Sequence, residues 1–167
     1  VVSGDLHHEV GREDYLFENR GDGTFADASA RGGAWFAAAL NGRACLPGDF
    51  DNDGRVDAVV TNLLDRAVLL RNRAPAGNAW LTLSLRGLPP NTSSLGAKAT
   101  VEAAGRARTK EAGANGTYLG QGDPRLHFGL AKAEVADRVV VRWPSGHETV
   151  LRNVRTRQVL SVREEAA

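Results

Sequence analysis

Short runs of apolar and β-branched residues recur along the chain, separated by turns rich in Gly, Asn, Asp and Pro. No long stretch repeats apolar positions at the spacing of an amphipathic helix. Where apolar and polar residues alternate, as in WLTLSLRG from Trp80, the pattern is typical of a half-buried strand. The sequence therefore predicts an all-β fold. Strands are predicted at residues 14–19, 58–62, 67–71, 80–87, 97–103, 106–112, 125–128, 138–143, 148–151 and 159–163.

Two segments are less regular. Residues 34–40 fit neither a strand nor a helix clearly, and residues 131–136 could form one helical turn. Residues 19–25, NRGDGTF, have the composition of a hairpin turn. A second hairpin is predicted at residues 144–146, and its strands would place Trp143 on the core face.

A linker divides the chain. Residues 73–78, RAPAGN, contain Pro and Gly and show no apolar periodicity, so we place a domain boundary after residue 76. The seven short strands predicted in residues 77–167 favour a compact antiparallel sandwich or barrel. Residues 1–76 hold fewer strands and form a separate part.

Composition limits the classes of function. The 167 residues are 42% hydrophobic, and 21 basic against 20 acidic side chains give a net charge of +1. This balance provides no overall field that would attract nucleic acid or an anionic membrane. No apolar stretch approaches the roughly 18 residues of a membrane helix. Cys45 is the single cysteine, so no internal disulfide forms, and it is predicted to be a buried small hydrophobe.

Local clusters leave weaker hypotheses. Basic residues are denser late in the chain, and they comprise Arg152, Arg155, Arg157 and Arg163 near the end and Arg106, Arg108 and Lys110 earlier. They could bind an anionic polymer if they share a face, but no paired aromatics accompany them, so we predict no specific nucleic acid partner. A carbohydrate could stack on Trp35, Trp80 and Trp143 if two of them were exposed, whereas the strand positions of Trp80 and Trp143 favour the core.

Catalytic signatures are missing from the sequence. There is no nucleophile elbow, no Cys-x-x-Cys pair and no phosphate-binding loop. His7 and His8 are adjacent and would point to opposite faces of a strand, which favours an exposed pair over a chelate. His127 is expected to be a structural histidine, and His147 is expected to be exposed in its turn.

The segment GDFDNDGRVD, residues 48–57, has the spacing of a calcium loop. Ca²⁺ takes six to eight oxygen ligands, which alternating carboxylates and a backbone carbonyl can supply from one tight turn. Gly54 stands where such a turn needs a positive φ. The predicted ligands are the carboxylates of Asp49, Asp51, Asp53 and Asp57 and the backbone carbonyl of Arg55.

Other interpretations of this loop remain open. Asp, Asn and Gly also favour plain acidic turns, so the segment could be a turn without a metal. Mg²⁺ is a weaker candidate because it retains several waters and demands an octahedral shell. The loop is not an EF-hand, since Val60 occupies the twelfth position and a strand-like segment follows.

Several segments together resemble a known two-part architecture. They are YLFENRGDGTFADAS at 15–29, GDFDNDGRVDAVVTN at 48–62, LLRN at 69–72, LGAKATV at 95–101, GTYLGQGDPRLHFGL at 116–130 and VRWPSG at 141–146. The first three resemble an FG-GAP (VCBS-type) β-propeller repeat, and the others resemble an ASPIC/UnbV domain. The order is similar to the C-terminal portion of the cartilage acidic protein 1 family and its bacterial relatives. The resemblance implies calcium on the same five loop residues.

The resemblance also implies that the propeller is partial. A blade needs roughly 40 residues and a propeller at least four blades, whereas about 70 residues precede the linker. We expect that further blades or a protein partner complete the N-terminal part.

We expect a calcium-stabilised, non-catalytic binding or assembly module that is secreted, periplasmic or on the cell surface, although this chain shows no signal segment. One alternative is a calcium-dependent hydrolase or lyase whose active site lies in other blades or at the domain junction. Another is a structural subunit of a larger complex.

Overall fold

The computed structural model describes Val2 and residues 11–166, so the histidine pair at positions 7 and 8 lies outside the described residues. Strands dominate the described part, which confirms the predicted all-β class. The strands are β1 (Phe17–Asn19), β2 (Phe25–Asp27), β3 (Gly42–Gly48), β4 (Asp57–Asn62), β5 (Val68–Leu70), β6 (Trp80–Arg86), β7 (Lys98–Ala103), β8 (Arg106–Glu111), β9 (Gly116–Thr117), β10 (Gly120–Gln121), β11 (Leu126–Gly129), β12 (Val135–Arg142), β13 (Glu148–Arg155) and β14 (Gln158–Arg163).

The chain divides into two compact units, each assembled from several segments of the sequence. Of the described residues, the first unit contains Val2, 11–48, 56–72 and 117–122, and the second contains 49–55, 73–116 and 123–166. Residues 49–55, which we call the Asp-rich loop, therefore belong to the second unit although they precede the linker in sequence.

In the first unit, β1 and β2 form an antiparallel hairpin in which Asn19 pairs with Phe25, as the turn composition predicted. A second, antiparallel sheet has the order β3-β4-β5. Two 3₁₀ turns follow at Ser29–Arg31 and Ala34–Ala37, and the second of them occupies the first four residues of the ambiguous segment 34–40. Cys45 in β3 is partly buried, and this burial raises the pKa of its thiol.

The second unit contains two larger sheets. One has the order β11-β6-β14, and the other has the order β13-β12-β7-β8. All pairings are antiparallel except β6 with β14, which run parallel over six residue pairs starting at Leu81 and Gln158. The sequence predicted an antiparallel domain, and this pair is the exception.

The main core lies in the second unit. Alternate residues of its strands are fully buried and form one apolar cluster, which includes Leu81, Leu83, Val101, Phe128, Val139 and Val141. Trp143 is 4% exposed and Trp80 is 8% exposed, so both lie in the interior as predicted. The buried hydrophobic residues described in the first unit are only Ala28, Ala44 and Val60.

The predicted helical turn at residues 131–136 is wrong. Ala131 has a left-handed φ of 52° and β12 already begins at Val135. The segment is a tight connection held by backbone hydrogen bonds from Ala79 to the Ala131 carbonyl and from Ala133 to the Leu130 carbonyl. Among the described residues, no helix has the length and apolar character needed to cross a membrane.

Candidate metal centre

The Asp-rich loop begins directly after β3 and is organised by its first carboxylate. Asp49 is 3% exposed, and its two carboxylate oxygens accept hydrogen bonds from the backbone N–H groups of Asp53 (3.0 Å) and Gly54 (2.9 Å). Gly54 adopts a φ of 87°, and Asn52 also lies in the left-handed region at 57°. The short polar residues and the glycine that the sequence places here make these conformations accessible.

Three of the predicted ligands lie together. One carboxylate oxygen from each of Asp49, Asp51 and Asp53 lies within 4.8 Å of the others. The three differ in environment, since Asp49 is buried, Asp51 is exposed and Asp53 is intermediate. Such a group of oxygens has the chemistry that a hard divalent cation requires.

Arg55 places a positive charge beside this cluster. Its guanidinium forms an ion pair with the Asp53 carboxylate, and its backbone N–H donates to Asp53 Oδ1 at 2.9 Å. The role predicted for the Arg55 carbonyl stays a prediction. In the structure, the side chain of this residue neutralises part of the acidic cluster.

Asp57, the remaining predicted ligand, occupies the first position of β4 in the other unit. It is 5% exposed, and its Oδ1 accepts a hydrogen bond from the Asn72 backbone N–H at 2.7 Å. The Asn72 side chain in turn donates to the Val56 carbonyl at 3.1 Å. These contacts fasten the segment after β5 to the start of β4. A metal-binding role for Asp57 stays a prediction.

Residues from the second half of the chain hold the loop. Arg125 donates to the backbone carbonyl of Asp49 at 2.9 Å and to Asn52 Oδ1 at 2.6 Å. Asp123 orients this guanidinium, with an Arg125 Nε to Asp123 Oδ2 distance of 2.8 Å. The hydrogen bonds that Arg125 donates to the Asp123 carboxylate raise the pKa of Arg125, so the side chain remains a fixed cation beside the loop. Burial alone would raise the pKa of Asp123, but its hydrogen bonds with Arg125 lower it.

The Trp80 indole packs directly against Gly54 of the loop. A Cβ added at Gly54 would lie 2.0 Å from the Trp80 indole, so only glycine fits this contact. The indole also stacks on the ring of His127, with centroids 5.9 Å apart and an interplanar angle of 20°. His127 Nδ1 lies 2.9 Å from Thr82 Oγ1, which agrees with the structural role predicted for this histidine.

Sequence reasoning identified the carboxylates but missed Trp80, Asp123 and Arg125 as neighbours of the loop. Arg125 and Asp49 are separated by 76 positions, and no local pattern indicates that they meet. The Asp-Pro-Arg segment at 123–125 was recognised only as part of the family resemblance. The signal that the sequence offered was the pair of opposite charges at Asp123 and Arg125, just before the strand β11.

Comparison with known proteins identifies both halves. Residues 87–167 match the ASPIC and UnbV family, and residues 1–60 match the FG-GAP-like repeat. The chain therefore contains an FG-GAP-like repeat followed by an ASPIC/UnbV domain, which confirms the architecture predicted from the sequence segments. No curated protein matches the chain.

Proposed function

We propose that this chain is a calcium-stabilised binding and assembly module that acts outside the cytoplasm and carries out no catalysis. The observation that carries the proposal is the approach of the Asp49, Asp51 and Asp53 carboxylates to within 4.8 Å of one another. FG-GAP repeats often bind calcium, and both domains are typical of extracellular or surface proteins.

Electrostatics favours a cation at this cluster. Two carboxylates at the 4.8 Å limit repel by roughly 3 kcal/mol at an effective dielectric constant of about 20, and by less at the exposed Asp51. The Arg55 guanidinium, which forms an ion pair with Asp53, supplies one positive charge against the three carboxylates. A divalent ion would relieve the repulsion among all three carboxylates. Flexible coordination by oxygen ligands favours Ca²⁺ over Mg²⁺.

The role proposed for the ion is structural. A ligand that binds only the folded state stabilises it by RT ln(1 + [L]/Kd), about 2.7 kcal/mol when the free ion is a hundredfold above Kd. The contacts of Trp80 and Arg125 with the loop would extend this stabilisation to the rest of the second unit.

Thermal melting with excess calcium and with chelator tests the proposal. Calcium should raise the melting temperature by roughly 5–10 °C, the shift that about 2.7 kcal/mol gives in a chain of this size. Asp51→Asn should abolish most of this rise, because it removes one ligand charge. The matched control is Asp65→Asn, which changes an aspartate in a turn outside the loop. An unchanged wild-type melting temperature would show that the loop is an acidic turn without a metal.

The first unit supports the assembly part of the proposal. Phe17 and Phe25 lie on one face of the β1–β2 hairpin, because Phe25 pairs with Asn19, two positions along the strand from Phe17. Tyr15 lies two positions before Phe17, just ahead of β1. Tyr15, Phe17 and Phe25 are 43%, 47% and 62% exposed, and the rings of Tyr15 and Phe17 stack at 5.8 Å. Contiguous exposed aromatic surface of this kind marks an interaction site.

A neighbouring propeller blade, from the same protein or from a partner, is the occupant that we propose for this hairpin face. Changing Phe17 and Phe25 to Ser should weaken co-purification with an added FG-GAP-like segment. An unaffected complex would contradict the assignment of this face.

The enzyme alternative has less support. FG-GAP and ASPIC/UnbV domains are generally non-catalytic. An open cavity in the first unit is lined by Glu13, Asp27, Ser29 and Phe36. Hydrogen bonds from Ser29 lower the pKa of Asp27, whereas a general acid requires a raised pKa.

A further inference from the structure

Edge strand β8 carries three basic residues on one face. Arg106, Arg108 and Lys110 alternate along the strand, so their side chains point to the same side. Their cross-strand partners on β7 are Ala103, Val101 and Ala99, which are buried in the core of the second unit. The basic side chains thus extend the core face of the sheet at its open edge, and we call them the β8 basic row.

On the opposite face of the same sheet, basic side chains form ion pairs with acidic side chains. It contains the ion pairs Lys98–Glu111 at 3.5 Å, Arg138–Glu102 at 3.4 Å and Arg142–Glu148 at 3.0 Å. In the part of the chain that the structure describes, no carboxylate forms an ion pair with the β8 basic row. Lys110 Nζ lies 6.0 Å from the centroid of the Phe128 ring, at the limit of a cation–π contact. The positive charge of the row is therefore not neutralised by neighbouring side chains.

The backbone beside this row is also open. β8 is the last strand in the order β13-β12-β7-β8, and it pairs with β7 alone. An edge strand presents unpaired N–H and C=O groups that can accept an additional strand. Basic side chains at such an edge discourage an apolar strand, because pairing would bury their charge. The same side chains would favour an incoming strand that supplies carboxylates.

The spacing of the β8 basic row also indicates how carboxylates must be spaced along a strand that binds there. Alternate residues of a strand are about 6.6–6.8 Å apart, and directly opposed Cβ atoms on adjacent strands lie about 4.5–5.5 Å apart. We propose that the β8 edge binds an extended acidic peptide segment of a partner protein, which adds as a fifth strand and places alternate carboxylates opposite Arg106, Arg108 and Lys110. This proposal is independent of calcium and of the Asp-rich loop.

Fluorescence anisotropy with the full chain tests this docking site. One labelled peptide has Glu at three alternate positions in a Thr and Val background, and a second has the same composition with its Glu residues adjacent. The alternating peptide should bind more tightly. Its affinity should fall by about tenfold or more in the variant Arg106→Glu, Arg108→Glu, Lys110→Glu, because three ion pairs become three repulsions.

A matched control separates this site from overall charge. Arg152→Glu, Arg155→Glu, Arg163→Glu changes the net charge equally at exposed positions on other strands and should bind the alternating peptide far better than the β8 variant. Melting curves establish that each variant is folded, and Gln replaces Glu if the β8 variant is not. Nuclear magnetic resonance should show the largest amide shifts within residues 106–111.

Three results would overturn the proposal. They are no binding of the alternating peptide to the wild type, equal affinity for the two peptides, or equal loss of binding in the two triple variants. If a sulfated polysaccharide or single-stranded RNA competes through the same three residues while the two peptides bind equally, the row is a general polyanion site rather than a strand-docking edge.

Discussion

Gly54 meets two separate demands in the Asp-rich loop. Its φ of 87° lies in the left-handed region, and the Trp80 indole occupies the space where a Cβ would stand. Left-handed backbone costs a residue with a Cβ roughly 1–2 kcal/mol, and the contact with Trp80 adds a steric cost. Gly54 therefore couples the conformation of the loop to the packing of the second unit.

Gly54→Ala should consequently lower the melting temperature by more than the backbone cost alone, which corresponds to roughly 2–8 °C in a chain of this size. Gly23→Ala is a matched control, because Gly23 has a φ of 88° and a Cβ added there would meet no atom within 4 Å. Thermal melting of the two variants in chelator measures the difference. Equal losses would show that Trp80 places no constraint on the loop.

His127 gives the second unit a dependence on pH. Burial lowers its pKa from the ordinary 6.5, with Lys110 and Arg125 acting in the same direction and Asp49 and Asp123 opposing them. The unfolded chain therefore binds a proton at a higher pH than the folded chain does. The contribution of neutral His127 to stability is complete above about pH 6.5 and is lost as the pH falls toward its folded pKa.

Denaturant unfolding of the wild type should accordingly show stability decreasing as the pH falls below about 6.5. His127→Gln should flatten this dependence, since it removes the titrating ring and retains a partner for Thr82. Parallel pH profiles for wild type and His127→Gln would contradict this assignment.

At the scale of elements, local pattern predicted most of the strands, and the failures have physical causes. β3 was missed because GRACLPG contains Gly and Pro and lacks apolar alternation. Pro47 is compatible with a strand there because β3 lies at the edge of its sheet, where one backbone N–H is not required for pairing. The parallel pairing of β6 with β14 depends on residues far apart in sequence, so no local pattern predicts it.

The candidate site likewise has one part that the local sequence predicted and one part that depends on tertiary structure. The Asp49, Asp51 and Asp53 cluster follows from spacing within one turn, and spacing predicted it. The contacts of Trp80 and Arg125 with the loop depend on tertiary structure. Arg125 lies immediately before β11, so this strand fixes the position from which its guanidinium reaches the loop.

Arg125→Gln should therefore loosen the loop even without calcium. We expect faster hydrogen exchange at the Asp53 and Gly54 amides, which donate to Asp49 in the wild type, and a several-fold weaker calcium affinity. Arg155→Gln removes an exposed arginine elsewhere in the same unit and should change neither quantity. Unchanged exchange at the two amides would exclude Arg125 as a positioning residue, whatever the calcium affinity.

At the scale of the whole molecule, the division into compact units differs from the order of domains along the chain. Residues 49–55 precede the linker, within the segment that matches the FG-GAP-like repeat, but they pack as part of the second unit. A cation in this loop would bind to the unit that contains the ASPIC/UnbV core. We therefore expect calcium to stabilise the second half of the chain more than the β-strands adjacent to the loop in sequence.

Hydrogen exchange measured by mass spectrometry, with calcium and with chelator, distinguishes the two halves. Calcium should slow amide exchange more in β6, which carries Trp80, and in β11, which follows Arg125, than in β1 and β2 of the first unit. Asp51→Asn should remove the difference, because it weakens binding of the ion. Protection confined to the first unit would mean that the loop stabilises the FG-GAP-like repeat alone. In that case the contacts of Trp80 and Arg125 would hold the loop in place without carrying the energy of ion binding into the ASPIC/UnbV core.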